Sequence, residues 1–115
     1  MVQYQRERID RTFGALADPT RRAVLDRLAA GAKTISELAT PFGMSLTGMK
    51  KHVAVLEDAG LVKTEKVGRE RRCTLEEAGS DPAEWWIEQH RAALESRLDR
   101  LGELVENQTK GAHDE

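Results

Sequence analysis

Five side chains between residues 45 and 52 are suited to holding anions and reading hydrogen-bonding edges, Ser45, Thr47, Lys50, Lys51 and His52, with Leu46 beside them for apolar contact in the same groove. Hydroxyls donate and accept, lysines carry fixed positive charge, and neither breaks a bond without an activating partner. The chain offers no nucleophile and base at a recognisable spacing, no glycine-rich phosphate loop and no acid pair set in an apolar segment. The chemistry implied is therefore non-covalent. Lys50 and Lys51 are candidates for guanine edges, and the backbone at Ser45 for fixing register on phosphate. A second cationic group, Lys66, Arg69, Arg71 and Arg72, crowds around Gly68. Positive charge packed at one turn repels itself and is best explained by an anionic partner.

These residues need a helix and a hairpin to present them. Leu46, Met49, Val53 and Leu56 recur at helical spacing and are expected to bury one face, leaving Thr47, Lys50, Lys51 and Ala54 outward. Ser45 can cap the helix, so free N–H groups and the positive end of the dipole would stand beside Thr47 and Lys50. Such an end attracts phosphate. Gly60 closes the helix, with Leu61 as the hydrophobic contact that follows. Upstream, Thr34 with Glu37 forms a capping box opening a short helix that buries Ile35, Leu38 and Ala39. Pro41 and Gly43 end it, Thr40 to Met44 is a turn, and residues 34–59 read as a helix-turn-helix. Beyond Gly60 the period becomes that of strands. Leu61 to Val67 and Arg71 to Leu75, joined at Gly68, predict a two-stranded wing over 61–75.

The flanking segments read as helices that hold two copies together. Ile9, Phe13 and Leu16 form a stripe on a helix over 6–17. Asp18 and Pro19 then open a second helix, which buries Val24, Leu25 and Leu28 and stops at Gly31. Asp81, Pro82 and Glu84 open the last helix. Along it Ile87, Leu94 and Leu101 repeat every seven residues, with Leu98 and Val105 between them and Arg91 interrupting. This seam exceeds what the first helix can cover, so helices 6–17 and 81–107 are expected to form a two-fold homodimer, Trp86 included. Trp85 and Trp86 could also flank a small-molecule pocket. A disordered tail is expected over 108–115. The fold class is mainly α with a small β-hairpin, about five helices plus a two-stranded wing, in a single winged helix-turn-helix domain over 1–115.

Composition narrows the setting. No apolar stretch approaches the roughly 18 residues of a membrane span, and the first residues lack the core of a secretory signal, so no membrane role and a cytoplasmic location are expected. Cys73 is the only cysteine, which rules out an intrachain disulfide or thiolate metal cluster. In a strand, a lone cysteine reads as an inert core residue. The net charge of −2 hides a division. Residues 19–74 carry 11 Lys and Arg against 6 Asp and Glu, whereas residues 75–115 carry 4 against 11. The basic excess coincides with the helix-turn-helix and wing, the footprint that phosphate binding requires.

Several segments together resemble a known family: ALADPTRRAVLDRLAAG (residues 15–31), ISELATPFGMS (35–45), SLTGMKKHVAVLEDAGLV (45–62), EKVGRERRC (65–73) and WWIEQHRAALESRLDRL (85–101). They look like the ArsR/SmtB family of winged-helix transcriptional repressors, specifically a branch of small bacterial regulators with the signature PFGMSLTGMKKHV. The resemblance spans the chain except before Arg8 and after Asn107. It implies a dimeric repressor that binds double-stranded DNA, often encoded beside polyketide-cyclase or Aha1-like ligand-binding domains. His52 matches a family histidine that follows a basic residue, which favours a place near phosphate over the alternative of packing between helices. Metal-responsive members carry paired cysteines in the third helix, where this chain has Thr34 to Ala39. Other members bind zinc between the last helices; here Asp81, Glu84, Glu88 and His90 are present, but Ala83 stands where a second histidine is needed and no downstream His-x-x-Glu pair follows. No metal and no cofactor are expected, and no residue pattern names an inducing small molecule. The alternatives are a winged helix that binds another protein, which would tolerate loss of Lys50 and Lys51, and a metal-responsive repressor.

Overall fold

Side chains that satisfy free helix-end groups set most of the boundaries in the structure, a computed structural model. It describes the backbone of residues 2–113 and the side chains of residues 5–107; where a disordered tail was expected from 108, the backbone continues as helix to His113, and residues 114–115 lie outside the described residues. The order is α1 (Val2–Leu16), α2 (Pro19–Ala29), β1 (Lys33–Thr34), α3 (Ile35–Ala39), a 3-10 turn (Thr40–Phe42), α4 (Leu46–Asp58), β2 (Val62–Val67), β3 (Glu70–Leu75) and α5 (Asp81–His113). Asp18 caps α2 by accepting from the Arg21 N–H at 3.0 Å. Thr34 and Glu37 form both bonds of the capping box at 3.1 Å. Ser45 caps α4 by accepting from the Gly48 N–H at 3.0 Å.

The far end of α4 closes as its sequence implies. Gly60 takes a left-handed φ of 76°, its N–H bonds the Glu57 carbonyl at 2.9 Å, and the Leu61 N–H reaches back to the Leu56 carbonyl at 3.0 Å. Leu56 and Leu61 are both buried, completing the hydrophobic contact of this closure. The chain therefore leaves α4 in a fixed direction, and the wing begins there.

The sheet has three strands in the order β1-β3-β2, all antiparallel, where a two-stranded wing was expected. The extra strand is two residues long: Lys33 pairs with Cys73 and Thr34 with Arg72. It is too short for any alternation to announce it. It also lets Thr34 both border the sheet and cap α3. The hairpin turns through Gly68 and Arg69, with Val67 opposite Glu70. Of the two turn residues only Gly68 has a positive φ, 65°, the pattern of a II′ turn.

Among the described residues, those up to Ala83 form one compact unit and those from Glu84 onward a second. The core of the first unites Val24 and Leu28 of α2, Ile35 and Leu38 of α3, Met49, Val53 and Leu56 of α4, and Leu61, Val62 and Cys73 of the wing. Its helices thus pack through the apolar stripes legible in sequence, and the wing is anchored at its root. The second unit is α5, which carries Ile87, Leu94, Leu98, Leu101, Leu104 and Val105 exposed along its length.

Candidate nucleic-acid interface

The first turns of α4 stand free of the core. Thr47, Lys50, Lys51 and Ala54 are exposed, while Met49, Val53 and Leu56 hold the helix down. Leu46 departs from expectation: it is 50% exposed rather than part of the buried stripe. It is the first helical residue, and it lines a cleft instead. That cleft, about 510 Å³, runs between α4 and the wing, lined by Leu46, Lys50, Lys66, Arg69, Glu70 and Arg71 with Thr34, Ile35 and Ser36 at its edge.

Strand register explains which wing residues reach it. Successive side chains alternate between faces. Cys73 is fully buried, so Arg71, two residues before it, shares its face. Lys66 lies directly opposite Arg71, and Thr64 opposite Cys73, which puts Lys66 and Thr64 on that face too. Two like charges directly opposite one another destabilise a hairpin unless an anion offsets them. Arg72 points to the other face with Glu65 opposite it, so it does not join Lys66, Arg69 and Arg71 in the cleft.

Glu57, in the last turn of α4, ties the wing to the helix. Its carboxylate accepts from the Thr64 backbone N–H at 3.2 Å and from the Thr64 hydroxyl at 2.6 Å. Sequence reasoning missed this residue, because a glutamate in the polar run of a helix carries no signal of a partner seven residues on. Thr34, Ser36 and Glu70 were missed for a related reason, since their place at the cleft depends on β1 and on the register of the hairpin.

His52, expected near phosphate, is half-buried, with Nδ1 3.4 Å from Arg21 Nη1 and 3.9 Å from Asp18 Oδ2. Arg21 in turn donates to the carbonyls of Ala15 at 2.8 Å and Gly14 at 3.1 Å. Position 52 falls on the flank of α4 that meets the α1–α2 corner, so its ring is part of a polar joint among three helices. The Asp18 carboxyl there is held below its ordinary value by the Arg21 backbone bond, with the Arg21 charge adding to it. Glu37 is lowered in the same way by its bonds to Thr34. Burial pushes the Cys73 thiol up, and the Glu57 charge adds to it, so the thiol stays protonated and unreactive. Among the described residues no group of three or more His, Cys, Asp or Glu is placed to hold a metal ion.

Of the residues expected at a dimer contact, Ile9 is only 7% exposed within the chain, which leaves little surface for a partner. Phe13 is exposed and Leu16 half-buried. On α5, Ile87, Leu94, Leu98, Leu101 and Val105 are all exposed, and Leu104, absent from the expected seam, is 58% exposed beside them. Leu101 and Leu104 line a shallow groove with Arg97 and Arg100. Trp86 is half-buried and stacks on His90, ring centroids 4.1 Å apart.

Known proteins share this arrangement. A helix-turn-helix domain family matches residues 16–65. The HTH-type transcriptional regulator Rv2034 of Mycobacterium tuberculosis is 37% identical over 92 residues, covering 80% of this chain and 76% of that protein. A solution structure titled as the homodimeric winged helix-turn-helix DNA-binding domain of a possible ArsR-family transcriptional regulator from Mycobacterium bovis is 30% identical, with a TM-score of 0.59 over 77% of this chain and 81% of that one. The crystal structure of an ArsR family transcriptional regulator superposes with a TM-score of 0.72 at 47% identity, covering 78% of this chain and 93% of that one. Likeness of this extent in both sequence and fold carries the assignment: the chain belongs to the ArsR family of winged helix-turn-helix transcriptional regulators.

Proposed function

We propose that this regulator is a repressor that binds a specific promoter sequence as a homodimer. One observation carries the reading: the exposed first turns of α4 and the paired cations Lys66 and Arg71 of the wing border a single cleft. A helix with short and cationic side chains suits a major groove, and a hairpin tip bearing Arg69 suits phosphate or the adjoining minor groove. Ser45, Leu46, Thr47, Lys50 and Lys51 at the start of α4 face the DNA together with Lys66, Arg69 and Arg71 of the wing, with Arg72 at the hairpin's outer face. The exposed apolar run on α5 supports a second copy as its cover, joined by Phe13, Leu16 and Trp86. Two copies would set two α4 helices about one DNA turn apart, roughly 34–36 Å, over an imperfect inverted repeat. Such a dimer represses by occupying a promoter and performs no bond chemistry. No helix among the described residues is long and apolar enough to cross a membrane, which accords with a regulator working in the cytoplasm.

Fluorescence anisotropy with the DNA upstream of its own gene and with a shuffled duplex, at several salt concentrations, tests the reading. Preference for the upstream duplex with a steep loss of affinity in salt is expected. Equal binding to both duplexes, or none near physiological salt, would favour a protein-binding winged helix.

A further inference from the structure

The two neighbouring lysines of α4 have separate tasks. Resting on the DNA-binding reading above, the geometry points to Lys50 as a backbone-phosphate ligand that closes a clamp with the wing, and to Lys51, beside Thr47, as the residue that reads base edges.

Consecutive residues leave an α-helix about 100° apart, whereas residues four apart share a face. Lys50 therefore stands in line with Leu46, and both line the cleft with Lys66, Arg69 and Arg71. Lys51 stands in line with Thr47; both are exposed and neither lines the cleft. The cleft gathers four cations, one from α4 and three from the hairpin, against the one carboxylate of Glu70. Base edges carry no net charge, so they cannot offset that concentration, while a sugar-phosphate strand does so directly. The width of the clamp is also set in advance, because Glu57 holds Thr64 and so fixes the root of β2 against α4. A preset gap bordered by fixed charge suits a repeating backbone better than a variable base. Thr47 and Lys51, outside it, present a hydroxyl and an ammonium group to whatever the groove displays, the donor pair that suits guanine O6 and N7.

Selection from a random-sequence duplex library by the full chain, as wild type, Lys50→Ala and Lys51→Ala, tests this division. Anisotropy of each protein on the wild-type-selected duplex and on a random duplex across a salt series accompanies it. Both lysines are exposed, so circular dichroism should find all three proteins folded. Lys50→Ala is expected to enrich the wild-type sequence and to lose affinity by the same factor on both duplexes. Its plot of log affinity against log salt should be shallower by about 0.9 for each bound copy. Lys51→Ala is expected to lose the base preference at one position of each half-site and to bind the selected duplex about 5- to 150-fold more weakly for each bound copy. A changed sequence preference in Lys50→Ala, an unchanged salt slope in it, or a retained preference in Lys51→Ala would overturn the assignment. Should wild type enrich no sequence, sequence-specific binding fails and the Lys51 assignment with it; the salt slopes on random duplex then decide Lys50 alone.

Discussion

Replacing Gly79 by alanine should destabilise the protein through a single methyl group. A Cβ built at Gly79 would lie 2.2 Å from the Gly60 carbonyl oxygen and 2.8 Å from the Leu61 Cα, against an ordinary contact of 3.4–4 Å. Both obstacles are backbone, so no side chain can rotate away. Nor can that backbone yield freely: Gly60 holds a left-handed φ of 76° in the closure of α4, and the Leu61 carbonyl accepts the Glu76 N–H at 3.0 Å. To restore contact the segment at Gly79 must move by more than 1 Å, breaking either the α4 closure or the exit of the wing. Overpacking of this kind costs about 1–3 kcal/mol, and immobile neighbours on both sides argue for the upper end. At about 4–8 °C per kcal/mol for a domain near this size, the melting temperature should fall by roughly 12 °C or more. Calorimetry would read the shift. Gly14→Ala is the control, since a Cβ there meets nothing within 4 Å and should leave stability level or raise it by about 0.5–1 kcal/mol through helix propensity. A Gly79→Ala protein melting within a degree or two of wild type would refute the reasoning.

The exposed apolar run on α5 and the helix caps give two further expectations. Leu98→Glu combined with Leu101→Glu should convert a dimer to monomers in sedimentation velocity and weaken DNA binding, because both side chains lie more than half exposed on an uncovered seam; a dimer that persists would place the contact elsewhere. Asp18 and Glu37 have carboxyl pKa values lowered below their ordinary 3.8 and 4.5 by cap hydrogen bonds. A lowered folded pKa means the folded state binds fewer protons, so the caps contribute fully above about pH 5 and their contribution is lost as pH falls through the folded values. Denaturant titrations from pH 7 to pH 3 should therefore show a smaller acid loss in an Asp18→Asn, Glu37→Gln variant than in wild type, and parallel curves would contradict the cause assigned to the shifts.

The parts of the fold that were legible in sequence are those fixed by local rules. Asp18, Thr34 and Ser45 cap the helices they precede, and Gly60 with Leu61 closes α4, because a cap is decided within a few residues. The buried stripes of α2, α3 and α4 follow from periodicity alone. What escaped is non-local. β1 exists only because β3 offers an edge to Lys33 and Thr34, and the Glu57–Thr64 bonds depend on the angle at which the wing leaves α4. In the site, the cationic composition was readable but its division was not. Arg71 and Arg72 are neighbours in sequence and belong to opposite faces of the hairpin, a distinction that needs the register with Lys66 and Glu65. Leu46 fits the helical stripe yet is exposed at the cleft, and His52 is drawn to Arg21 and Asp18 by a packing corner that no spacing rule reveals. Leu104 escaped because a strict seven-residue count passes over it.

Hydroxyl-radical footprinting of the protein on its own upstream DNA tests the account most directly. It predicts two protected patches related by a two-fold axis, their centres about 10–10.5 base pairs apart or a multiple of that, as two α4 helices in successive major grooves require. A single patch, or protection that spreads evenly over any duplex, would contradict a dimeric, sequence-specific regulator.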